Sequence, residues 1–114
     1  MELSVALAGA GYDELESLYE RVSSTEEFRG QVRWAPPKNP ARDAGAKPNA
    51  FLVAVEADPT LTVLANTLSG WMQTRRPHAW VRIAVRRQRR RVEITATNAA
   101  DAAALLRRAL ADGD

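Results

Sequence analysis

The sequence predicts an α/β (α+β) fold, a two-layer sandwich of order β-α-β-α-β-β-α in which helices cover one face of a four-stranded mixed sheet. Two observations predict it. Each candidate strand alternates apolar and polar residues, and none reads as the continuous apolar run of a strand buried on both sides, so one sheet face is expected to be open. Between the strands, apolar residues recur at three- and four-residue steps, the spacing of helices that bury one side.

Leu3, Val5 and Leu7 alternate with Glu2, Ser4 and Ala6, and Gly9-Ala10-Gly11 stops this first strand. From Tyr12 the period becomes helical: Tyr12, Leu15, Leu18, Tyr19 and Val22 face inward, and Asp13, Glu14, Glu16, Glu20 and Arg21 face outward. Acids in the first turns suit the positive end of the helix dipole. Ser23-Ser24-Thr25 closes the helix and offers caps for a short turn through Glu26-Glu27-Phe28. Gln31 to Trp34 reads as a second strand with Val32 and Trp34 on one face.

Residues 35–48 contain four prolines and almost no large apolar side chain. This is a proline-rich loop inside one domain spanning 1–114, because too little chain precedes it to fold alone. The run Phe51 to Val55 fits either a buried strand or one buried helical turn, and is read here as helix. Asp58-Pro59 marks the next helix start, with Asp as cap and proline at the first position. Leu61, Leu64, Ala65, Leu68, Trp71 and Met72 form its apolar stripe, and Arg75-Arg76-Pro77 ends it.

Trp80 to Arg86 and Arg90 to Ala96 are expected to form a β-hairpin around Arg87-Gln88-Arg89. Val81, Ile83 and Val85 then share a face with Val92, Ile94 and Ala96. Asn98 with Asp101 resembles a capping box for a last helix, whose stripe is Ala102, Leu105, Leu106, Ala109 and Leu110.

The chain has 114 residues, no cysteine and a single histidine, His78. That composition removes a disulfide framework, a thiolate zinc site, a cysteine nucleophile and any paired-histidine metal motif. No enzyme is expected, and no catalytic, cofactor-binding or metal-binding residue is assigned. The N-terminus lacks a basic region before its apolar run, and no segment approaches the roughly 20 apolar residues that span a bilayer. A soluble, cytoplasmic protein without membrane partners is the expectation. The net charge of +2 conceals a division: residues 1–70 hold six basic and ten acidic side chains, residues 71–114 ten and four.

Gly9-Ala10-Gly11 lies where a dinucleotide-binding loop would sit, but a tight turn accounts for both glycines and Glu14 would oppose a pyrophosphate. His78, between Pro77 and Ala79, has no serine or carboxylate neighbour in sequence to form a relay and reads as a solvated loop residue. The basic run Arg86, Arg87, Arg89, Arg90 and Arg91 is the most distinctive local feature. Such guanidiniums could grip phosphates, yet no aromatic or glycine is interleaved at the tip, so nucleic-acid or polyanion binding is the second reading behind a protein-facing or solubilising role. Strand alternation puts Trp80 outward with Arg82 and Arg86, the composition of an interface hot spot; alternatively Trp80 folds over the sheet edge. The candidate partner-binding residues are therefore Trp80, Arg82, Arg86, Arg87, Arg89, Arg90 and Arg91.

Leu3-Ser4-Val5 through Gly11-Tyr12-Asp13-Glu14-Leu15-Glu16-Ser17-Leu18-Tyr19, Leu61-Thr62-Val63-Leu64-Ala65 with Leu68 and Trp71, the Arg75-Arg76 helix end and the closing Ala99-Ala100-Asp101 helix resemble the effector-associated constant component family of bacterial conflict systems. The resemblance covers nearly the whole chain and rests on packing and turn residues. It implies a small, non-enzymatic adaptor or signal-transducing component in anti-phage defence, encoded beside an effector such as a caspase-like or trypsin-like peptidase. The chain departs from the family's pattern in its arginine-dense hairpin tip, where a more glycine- and aspartate-containing turn would be expected, and in its charged proline loop. Self-association is a further expectation, since an unpaired edge strand offers a template.

Overall fold

The structure is a computed structural model that describes residues 1–36, 45, 47–56, 58–74 and 81–110. Its elements are β1 (Glu2–Ala8), α1 (Tyr12–Ser24), a 3-10 turn (Glu26–Phe28), β2 (Val32–Trp34), β3 (Phe51–Ala54), α2 (Asp58–Thr74), β4 (Arg82–Arg87), β5 (Arg90–Ile94), a second 3-10 turn (Ala99–Asp101) and α3 (Ala102–Leu110). The strands form one five-stranded sheet of order β2-β3-β1-β4-β5. Every neighbouring pair is antiparallel.

The expected helix at residues 51–55 is thus a strand, which brings the sheet from four strands to five and makes it antiparallel rather than mixed. The physical reason lies in where β3 sits. Inserted between β2 and β1, it buries Phe51 and Val53 completely, while its outward Leu52 and Ala54 are still half-buried on the opposite face. A strand apolar on both faces loses the alternation that distinguishes it from a helical turn. β1 and β2 run parallel but are separated by β3, and β3 and β4 run parallel but are separated by β1. Elements β1 through β4 therefore have the connectivity of a ferredoxin-like split β-α-β sheet, to which β5 and α3 are appended.

The helices cover one face. From the sheet, Leu3, Val5, Phe51, Val53, Ile83, Val85, Val92 and Ile94 point into the core; Leu18 and Val22 of α1, Leu61, Leu64, Leu68 and Met72 of α2, and Leu106 and Leu110 of α3 meet them. Polar contacts fix the helices laterally: Trp71 Nε1 donates to Ser17 Oγ at 3.1 Å, joining α2 to α1, and Arg107 donates to Thr62 Oγ1 at 2.8 Å, joining α3 to α2. At the β2 edge, Tyr19 of α1 stacks on Trp34 with ring centroids 4.2 Å apart and planes within 8°. Phe51 closes the cluster edge-on, 5.6 Å from Tyr19 and 6.1 Å from Trp34.

Two expected caps take other forms. Asn98 makes no side-chain cap for the turn that follows it, and the α-helix begins only at Ala102. Its side chain turns back instead: Oδ1 accepts from the Thr95 N–H at 2.8 Å, and Nδ2 donates to the Glu93 carbonyl at 3.0 Å. The Ser24 and Thr25 hydroxyls likewise donate backward, to the carbonyls of Glu20 and Arg21, rather than capping the 3-10 turn. The Asp58 side chain and the Arg75-Arg76-Pro77 end of α2 fall outside the described residues.

Candidate functional site

Among the described residues, no helix covers the sheet face opposite α1, α2 and α3. The hairpin determines how its arginines divide. Register pairs Arg87 with Arg90 across a two-residue connection, Gln88-Arg89, one residue shorter than the three expected. Arg86 pairs with Arg91. Successive strand residues point to opposite faces, so Arg82, Arg86 and Arg91 lie on the open face, Arg87 and Arg90 on the helix side, and Arg89 in the turn. β5 ends at Ile94, which leaves Ala96 exposed in a turn instead of on the inner face.

Five clustered arginines in sequence are therefore not one patch in space. Arg87 is half-buried and donates from Nη1 to the Leu110 carbonyl at 2.8 Å, so it serves the end of α3. Arg91 pairs with Glu93 on its own strand, and across the face Arg33 pairs with Glu2 at 3.1 Å. Arg82 and Arg86, both exposed, have no ion pair or hydrogen bond among the described residues. Like charges directly opposite one another in a ladder repel, so the Arg86–Arg91 pair stores a local demand for negative charge. Trp80 and His78 lie outside the described residues.

A feature that alternation does not reveal is a groove of about 770 Å³ on this face. Its floor is Ser4, Ala6, Ala8 and Ala84, one wall carries Arg86 and Arg91, and the other is the chain at Pro36, Pro48 and Asn49 with Lys47. Among the described residues, the ionisable side chains lining it, Lys47, Arg86 and Arg91, are all cations. The groove exists because β3 pairs with β1 only from Glu2 to Val5, whereas β4 pairs with it from Ser4 to Ala8. Where β3 stops, the preceding chain swings toward β2, and the Ala50 carbonyl accepts from the Ala35 N–H at 3.0 Å.

At the mouth, the Lys47 ammonium stands 4.9 Å from the centre of the Tyr12 ring. Burial of the ring, then the nearby Glu16 and Asp13 carboxylates, raise the Tyr12 phenol above its ordinary pKa. The glycine turn beside it has a conformational explanation: Gly9 has φ of 80°, which favours glycine, whereas Gly11 is extended and a Cβ there would meet nothing within 4 Å. Among the described residues no three acidic or histidine side chains are grouped to hold a metal ion, and no helix is long and apolar enough to cross a membrane.

No curated protein and no solved structure matches the chain. The family model described as Effector Associated Constant Component 1 matches residues 8–112, which takes in the β1–α1 turn, the whole helical layer and the hairpin. The match spans the other four strands and all three helices, taking in only Ala8 of the central strand β1, and the chain belongs to the Effector Associated Constant Component 1 family.

Proposed function

We propose that this protein is a non-enzymatic adaptor of a bacterial conflict system, and that the open sheet face is where it receives its effector, a caspase-like or trypsin-like peptidase. Family membership supports the association with an effector. The observation that carries the surface is the pair Arg82 and Arg86, exposed on a sheet face that no helix covers and without ionic partners among the described residues. Small outward residues between them and β3, chiefly Ser4, Ala6 and Ala84, let a partner approach the backbone closely. The division of the arginine run weighs against the polyanion reading, because Arg87 and Arg90 do not share the face of Arg86 and Arg91.

Co-purification with the effector encoded nearby tests the proposal. Arg82→Glu combined with Arg86→Glu is expected to abolish an established complex while leaving the circular dichroism spectrum unchanged. An undiminished complex would remove the open face from consideration. A gel-shift assay on single-stranded and duplex DNA addresses the alternative: affinity falling steeply with added salt, and lost on changing the hairpin arginines to serine, would favour nucleic acid instead.

A further inference from the structure

We propose that the groove beside β1 binds an extended, acidic peptide segment, which adds to the sheet by pairing with the backbone of Leu7. Met1 and Val55 exchange backbone hydrogen bonds at 2.7 and 2.8 Å, which sets the phase of the β1–β3 ladder. In an antiparallel pair such doubly bonded positions recur at every second residue. The N–H and C=O groups of Leu3, Val5 and Leu7 therefore point toward β3.

Leu3 meets Val53 and Val5 meets Phe51, but the ladder ends there. Continuing the register would bring Asn49 opposite Leu7, and no backbone hydrogen bond joins them among the described residues. Leu7 thus offers one donor and one acceptor into the groove it lines, with the strand geometry already formed. That is the requirement for β-strand addition, in which main-chain pairing supplies affinity and alternate side chains supply specificity.

Charge selects the side chains. Among the described residues, the groove's ionisable side chains are Arg86, Arg91 and Lys47, and Arg86 has no ionic partner there. A segment paired with Leu7 directs alternate residues onto the face that carries these cations, where glutamate or aspartate fits and lysine or arginine is repelled. The floor of methyl groups from Ala6, Ala8 and Ala84 leaves room for backbone and offers no aromatic platform for stacked bases. This inference rests on the adaptor reading only for which protein carries the segment.

Fluorescence polarisation with a labelled peptide of alternating glutamate and valine tests it on the full chain, with a lysine–valine peptide as control. Saturable binding is expected for the acidic peptide alone. Arg86→Ala should weaken it roughly tenfold, the loss of one charge-assisted hydrogen bond. Arg89→Ala, in the hairpin turn outside the groove, should leave it within about twofold. N-methylating one of the two alternate sets of peptide amides should abolish binding, and methylating the other should be tolerated.

Absence of saturable binding, equal loss in Arg86→Ala and Arg89→Ala, tolerance of both methylated sets, or displacement by a single-stranded oligonucleotide that binds more tightly would each overturn the proposal. Effector co-purification separates this from the adaptor reading. Peptide binding that survives without any effector complex overturns the adaptor alone; an effector complex intact in a chain that binds no acidic peptide overturns the groove alone.

Discussion

Arg87 Nη1 lies 2.8 Å from the carbonyl oxygen of Leu110, so the hairpin binds the far end of α3 through a charge-assisted hydrogen bond. Carbonyls in a last helical turn lack intrahelical donors, and a cation there also complements the helix dipole. Arg87→Ala is expected to lower unfolding free energy by about 1–2 kcal/mol. Arg89→Ala, exposed in the turn, should change it by less than about 0.5 kcal/mol. Urea denaturation of both variants checks the contrast, and equal effects would show that Arg87 acts only through its charge.

Gln88 occupies the first position of the hairpin connection with φ of 55°, a left-handed conformation that L side chains adopt at a cost of about 1–2 kcal/mol. Asparagine tolerates it better, and a β-branched residue tolerates it worse. Gln88→Asn should raise the melting temperature, whereas Gln88→Val should destabilise by about 1 kcal/mol. A stable Val variant would mean that the turn relaxes to another type.

The Ser23 hydroxyl in α1 is buried and has no hydrogen-bond partner among the described residues. Leaving such a group unsatisfied costs about 1–3 kcal/mol, and alanine is also the better helix former. Ser23→Ala is therefore expected to stabilise by roughly 1 kcal/mol in chemical denaturation. Destabilisation would indicate that the hydroxyl finds a partner in solution.

Tyr19 and Trp34 connect α1 to the short edge strand β2. A double-mutant cycle with Tyr19→Leu and Trp34→Leu should yield a coupling energy of about 1 kcal/mol beyond the two single losses. Additive losses would mean that the rings contribute burial without a specific pairing term.

What was legible in the residues was whatever depends on one element's own period. Leu3, Val5 and Leu7 define β1, Leu61 through Met72 define α2, and the alternation of Arg82, Ile83, Ala84, Val85 and Arg86 already places two arginines on the outer face. Phe51 to Ala54 carries no such period because both of its faces are apolar, and only its two neighbouring strands make it extended rather than helical. The groove was invisible for a related reason. It arises where β3 leaves β1 after Val5, an end of pairing between segments nearly fifty residues apart. Nothing in Ala6, Leu7 or Ala8 marks the backbone beside them as unpaired.

Asn98 is the other residue whose part is tertiary, and it governs how β5 meets its surroundings. Arg87 and Arg90 flank a two-residue turn, a doubly hydrogen-bonded position, so the ladder directs the N–H and C=O of Arg91 and Glu93 away from β4. An edge of this kind invites pairing with another chain. Asn98 Nδ2 occupies the Glu93 carbonyl at 3.0 Å while Oδ1 accepts from the Thr95 N–H at 2.8 Å, so one side chain replaces the next strand at that end. Asn98→Ala leaves both groups without these partners and should cost about 1–3 kcal/mol. It should also shift the chain toward concentration-dependent association, visible by light scattering. Asn98→Asp keeps the acceptor for Thr95 but loses the donor to Glu93, so it should recover part of the stability. If Asn98→Ala lost stability but matched the wild-type association at every concentration, Asn98 would be a turn-stabilising residue with no part in shielding the edge.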